Sequence, residues 1–108
     1  MKVHVTLQSA HRGVNAEAIY CGDTITVLPG GKISEDFADY VKGGKKSKSY
    51  RDNPEYVDGN RNIIKECVFS SPSTAAQFVT GRSDNGYLIW KVEKKKTLGA
   101  YLRENGLR

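Results

Sequence analysis

Apolar and polar residues alternate from the start of the chain, Val3, Val5 and Leu7 against Lys2, His4 and Thr6. Period two of this kind predicts a half-buried strand. Val14, Ala16, Ala18 and Tyr20 repeat the pattern, and Ile25 and Val27 resume it after Gly22-Asp23. A Gly-Asp pair between two alternating runs predicts a hairpin, because glycine reaches the positive φ of a tight turn. Pro29-Gly30-Gly31 then predicts a chain reversal. Ser34 reads as an N-cap with Glu35 and Asp36 in the first turn, Phe37 and Val41 on one face and Gly43-Gly44 as the stop. Residues 42–62 are polar and broken by glycine and proline, which predicts a long basic loop. Ile63 to Phe69 reads as a strand.

The richest run is "SPSTAAQFVTGRSDNGYLIWKV", residues 71–92. Ser71 caps a helix with Pro72 at its first position, where a missing N–H costs nothing. Ala75, Ala76, Phe78 and Val79 lie towards one side of that helix, and Gly81 is placed to end it. "SDNG" predicts a turn and "YLIWKV" a strand, with Leu88, Trp90 and Val92 on one face and Tyr87, Ile89 and Lys91 on the other. Thr97 caps a last helix that carries Leu98, Tyr101 and Leu102 inward and stops near Asn105-Gly106. The order of elements predicts one small α+β domain with an antiparallel sheet and two or three short helices. Its parts are N-terminal strands, hairpin and short helix (1–41), a flexible basic loop (42–62) and a strand-helix-strand-helix unit (63–108).

Composition narrows the class. The chain has 108 residues, enough for one modest core. Its apolar runs are too short to span a bilayer, and its alternating N-terminus is unlike a signal peptide, so a cytoplasmic protein without membrane contact is expected. Two cysteines, Cys21 and Cys67, stand far apart and with His4 and His11 do not make the paired spacing of a zinc site. They read as reduced, buried thiols. Phosphate-loop, dinucleotide, HExxH and G-x-S-x-G patterns are missing. The expectation is therefore a protein that is not an enzyme, with no catalytic residue, metal or cofactor.

A net charge of +5 points to polyanions. Lys42, Lys45, Lys46, Lys48 and Arg51 cluster in the predicted loop with Tyr50 and Tyr56 interleaved, and Lys91 and Lys94 to Lys96 cluster after the tryptophan. Basic plus aromatic composition suits a surface that tracks phosphates and stacks bases, and it equally suits a solvated loop. The helix start at Ser71-Pro72-Ser73 offers free N–H groups to an anion, with Ser73 as a hydroxyl donor, or it is a plain cap. Arg82 and Asn85 have the fork geometry that reads base edges, although Asn85-Gly86 also satisfies a turn. Trp90 reads as core and Lys91, opposite it, as surface.

Residues 71–92 resemble a bacterial and archaeal domain family of unknown function marked by SPSxAA, a glycine, NG and a tryptophan-lysine. Members often follow GIY-YIG-type endonuclease domains or stand near restriction and methylation systems. The run is also similar to restriction-associated, methylase-adjacent (RAMA) domains. "GVNAEAIYCGDTITVLPGGKIS" looks like the same family's N-terminal half and "KKTLGAYL" its closing segment, so the resemblance covers roughly residues 13–102. The GIY and YIG segments are missing here, so nuclease activity does not carry over. The resemblance implies a non-catalytic accessory or recognition module that binds nucleic acid, DNA ahead of RNA, in restriction, modification or nuclease systems. Its contacts would be Arg82, Lys91, Ser73, Asn85, Lys45, Lys46, Lys48 and Arg51. The alternative is a protein-interaction module that docks onto a nuclease or methyltransferase through an apolar patch near Tyr87 and Ile89.

Overall fold

The alternating runs at the N-terminus form the sheet that the rest of the chain covers. A computed structural model describes residues 2–22, 24–37, 45–93 and 95–107. Strands β1 (Val3–Ser9), β2 (Val14–Tyr20), β3 (Ile25–Val27) and β4 (Cys67–Phe69) lie in that order in one sheet, every neighbouring pair antiparallel. Opposite residues share a face, so the pairs Val5–Ala18, Leu7–Ala16, Ile25–Phe69 and Val27–Cys67 place one continuous apolar surface on the inner side. The outer face carries His4, Thr6, Glu17, Thr26 and Val68.

Four helices occur among the described residues: α1 (Lys45–Arg51), α2 (Pro72–Thr80), α3 (Gly86–Ile89) and α4 (Leu98–Glu104). Helix α2 packs across β2, β3 and β4 and in turn receives α1 and α3. It begins as its sequence predicts: Ser71 is extended, its hydroxyl accepts from Thr74 N–H, and Pro72 stands at the first turn. It ends at Gly81, whose φ of 72° is the left-handed conformation that side chains resist. A Cβ at Gly81 would also meet the Asp36 carbonyl oxygen at 2.0 Å, so glycine is required twice over. Thr97 caps α4 by accepting from Ala100 N–H. Trp90, Phe69 and Phe78 are the largest side chains of the core, and Trp90 is fully buried.

Four elements differ from the sequence reading. The strand expected from Ile63 to Phe69 is confined to β4, Cys67–Phe69. Residues 45–51, expected as loop, form α1. Its buried face consists of Ser47 and Arg51 with Tyr50 alongside, so no apolar stripe announces it. Ser47 donates to the Thr74 carbonyl (2.8 Å), and Tyr50 packs edge-on against Tyr56, Phe69 and Phe78. Residues 87–92, expected as strand, are the short helix α3 followed by an extended link. Leu88, placed inward by the strand reading, is 57% exposed, while Tyr87 and Ile89 are half-buried. Residues 34–37 are not helical; the remainder of that expected helix, including Val41, Lys42 and Gly43-Gly44, lies outside the described residues.

Each outer strand is met at its centre. On β1, Thr6 exchanges two backbone hydrogen bonds with Lys91 (2.9 and 2.8 Å). On β4, Val68 N–H donates to the Tyr50 hydroxyl (3.2 Å), which lies 3.4 Å from the Val68 carbonyl oxygen.

Candidate nucleic-acid interface

The turn between α2 and α3 is built by its own polar groups. The Thr80 hydroxyl accepts from Arg82 N–H (3.2 Å) and donates to the Asp84 carboxylate (2.8 Å). Asn85 caps α3 by accepting from Tyr87 N–H (3.0 Å). Ser73 Oγ accepts from Gly86 N–H (3.0 Å), and the Trp90 indole donates to the Pro72 carbonyl (3.0 Å). Gly86 is seated directly on the start of α2: a Cβ there would lie 2.1 Å from the Pro72 carbonyl carbon and 2.4 Å from Ser73 N. Helix α2 is thus fixed at its N-terminus by Gly86 and Trp90.

This corrects one expectation. The start of α2 is covered by Gly86, and Thr74 N–H and Ala75 N–H are taken by the Ser71 side chain and carbonyl. Ser73 serves as an internal acceptor for Gly86, so the anion site imagined there is filled by the protein's own backbone.

A second correction concerns Arg51. It is 5% exposed, and its guanidinium donates to the carbonyls of Phe78 (2.7 Å), Ser34 (2.6 Å) and Asp36 (3.0 Å). Burial, then the nearby Arg61 charge, pull its pKa down to about 10, so it stays charged at neutral pH. Arg51 joins α1, the 34–36 segment and the end of α2, and is not placed to meet a phosphate. The other cations of α1 remain on the surface. Lys45 and Lys46 are exposed, and Lys48 pairs with Asp52 (3.2 Å) and lies 6.0 Å from the Phe37 ring centroid. Lys46 lines a small cleft with Tyr50, Asn53 and Tyr56.

What remains available gathers in two adjoining grooves. The first, an open groove of about 900 Å³, runs along the outer edge of β1 and is lined by His4, Gln8, Asn85, Leu88, Ile89 and Lys91 among others. Lys91 Nζ donates to the Leu88 carbonyl (3.1 Å), which anchors the ammonium there. The second, of about 770 Å³, lies beyond the tip of the β1–β2 hairpin and is lined by His11, Arg12, Lys32, Glu35, Asp36, Phe37 and Arg82 among others. Among the described residues the Arg82 guanidinium makes no hydrogen bond or ion pair. Arg12 of the second groove and Asp84 of the first are joined by an ion pair at 3.0 Å.

Of the expected contacts, Asn85 and Lys91 therefore share one groove and Arg82 lines the next. Lys94 lies outside the described residues. Arg12, His11 and Lys32 are functional candidates that the sequence reading did not single out. Their signal was positional: Arg12-Gly13 lies between two alternating runs and so at a hairpin tip.

A family model described as a domain of unknown function, DUF4357, matches residues 6–102. The chain belongs to this family. The DUF4357 match takes in β1 from Thr6 onward, the second groove, the first groove apart from His4, and most of α4. Comparison with curated proteins finds no match, and comparison with solved structures finds none.

Of the two cysteines of this DUF4357 domain, Cys67 is buried and Cys21 half-buried. Burial pushes the Cys67 thiol up to about 12, so it is protonated at neutral pH. Among the described residues, no group of three or more His, Cys, Asp or Glu is arranged to hold a metal, and no helix is long and apolar enough to cross a membrane.

Proposed function

We propose that this domain is a non-catalytic nucleic-acid-binding module of the cytoplasm, with DNA as its partner ahead of RNA. One observation carries the reading. Arg12, Lys32 and Arg82 come from three separate segments and converge on one groove, with Asn85 and Lys91 in the groove beside it. Lysine and arginine in such a place gain affinity by releasing phosphate counterions, and Asn85 and Arg82 add the directional donors that base edges accept. The motif serines have structural roles, Ser71 Oγ accepting from Thr74 N–H and Ser73 Oγ from Gly86 N–H. The resemblance to domains that follow GIY-YIG-type nucleases, and to RAMA domains, supports a place as the recognition unit of a restriction, modification or nuclease system.

Glu35 and Asp36 temper the second groove, so the footprint is small. Engagement of two or three phosphates gives a slope of log affinity against log salt of roughly −2 to −3. Fluorescence anisotropy with labelled duplex and single-stranded oligonucleotides across salt tests it. Arg82→Ala and Lys32→Ala should each weaken binding and flatten the slope. A flat salt response in the wild type, or variants that bind as it does, would count the reading out.

Leu88 favours a second reading. Its exposed side chain, with Ile89 in the same groove, fits a docking contact with a nuclease or methyltransferase. Leu88→Asp would then abolish capture of that enzyme while leaving oligonucleotide binding intact.

A further inference from the structure

The wall between the two grooves is itself an ion pair. Arg12, at the tip of the β1–β2 hairpin, faces the second groove, and Asp84, in the α2–α3 turn, faces the first. Their 3.0 Å contact is partly solvated, with the two side chains 28% and 24% exposed. Asp84 is held from behind by the Thr80 hydroxyl, and the Arg82 carbonyl accepts from Asp84 N–H (3.1 Å). The carboxylate is therefore fixed by α2, while Arg12 reaches it from a hairpin seventy-two residues away in sequence.

A carboxylate that accepts from a guanidinium offers the same acceptor geometry as a phosphate. We infer that Asp84 is an internal stand-in for phosphate and that Arg12 is a ligand-binding arginine held in reserve by it. This rests on the nucleic-acid reading above. A phosphate entering the second groove meets Lys32 and Arg82 directly and competes with Asp84 for Arg12. Asp84 then sets a threshold: weak or isolated anions leave the pair intact, whereas a chain of phosphates already held by Lys32 and Arg82 takes Arg12 as well. The carboxylate thereby subtracts from affinity for stray anions more than for a polyanion.

Asp84→Asn isolates this role, because the amide keeps an oxygen for the Thr80 hydroxyl and removes only the charge. With labelled oligothymidylate and its duplex as probes, D84N should bind about two- to fivefold tighter than the wild type at low salt, the range of a partly exposed ion pair. Its salt dependence should steepen by about 0.7 to 0.9, one further phosphate contact. Arg12→Ala should weaken binding, and adding D84N to it should restore nothing. A D84N protein no tighter than the wild type, or one that tightens binding equally in the Arg12→Ala background, overturns the inference while leaving the nucleic-acid reading standing. Wild-type protein that shows no salt-dependent binding takes both down. Should D84N fail to fold, the side-chain NMR resonances of Arg12 in the wild type decide. Movement on saturation with oligothymidylate supports release from Asp84, and fixed resonances refute it.

Discussion

Arg51 and Arg82 were both expected to contact nucleic acid, and they have opposite fates. Around Arg51 the backbone runs out of internal partners: the end of α2 and the non-helical 34–36 segment leave carbonyls facing inward, and one guanidinium satisfies three of them. Around Arg82 the turn is closed by Thr80, Asp84, Asn85, Ser73 and the close approach of Gly86, and among the described residues its guanidinium has no partner. Whether a cation is available to a ligand is thus decided by how completely the surrounding backbone has paired without it.

The sharpest way to break this contrast is to remove each charge. Arg51→Met strands buried carbonyls and should destabilise the fold by about 3–5 kcal/mol, a loss visible in thermal and urea unfolding. Arg82→Met should stay within about 0.5 kcal/mol of the wild type, as surface changes usually do. Equal effects would refute the division between the two sites. Next in size is Gly86→Ala. The added methyl has to displace the backbone of Pro72 and Ser73, which should cost about 3 kcal/mol or somewhat less and loosen Trp90, read as a change in tryptophan fluorescence. An alanine protein as stable as the wild type would show that the turn is not held by close backbone approach. The smallest effect compares two ion pairs. Lys48–Asp52 on α1 is well exposed, so Asp52→Asn should change stability by less than about 0.5 kcal/mol. Arg12–Asp84 is more sheltered, and Arg12→Ala should cost up to about 1 kcal/mol by the same unfolding measurement.

Much of the fold was written in the sequence because strong local signals agreed there. Alternation placed β1 to β3, and the cap, proline and glycine around residues 71–81 fixed α2 at both ends. Helix α1 escaped notice because its inward residues are Ser47, Tyr50 and Arg51. Its reason to be helical lies in the carbonyls of α2 and the 34–36 segment, which no local window contains. Residues 87–92 misled in the other direction. Their alternation was real, yet Asn85 capping and the Ser73–Gly86 hydrogen bond impose a helical turn first. That rotation turns Leu88 out while Trp90 still reaches the core. The site was half legible for the same reason. Arg82, Asn85 and Lys91 belong to a run dense in signals, whereas Arg12 and Lys32 join them through tertiary packing of a hairpin tip and a strand-like bridge.

The engaged centres of the two outer strands bear on how such domains behave in company. An unsheathed strand edge is a template on which another chain can add itself, and proteins that work at high local concentration must guard against it. Here Lys91 occupies the middle of β1 through its backbone, and the Tyr50 hydroxyl occupies the middle of β4. The tyrosine is a guard of one oxygen atom: Tyr50→Phe would keep its ring among Tyr56, Phe69 and Phe78 and reopen Val68 to a foreign strand. A second copy approaching either outer strand therefore meets an edge whose central hydrogen-bonding position is already taken.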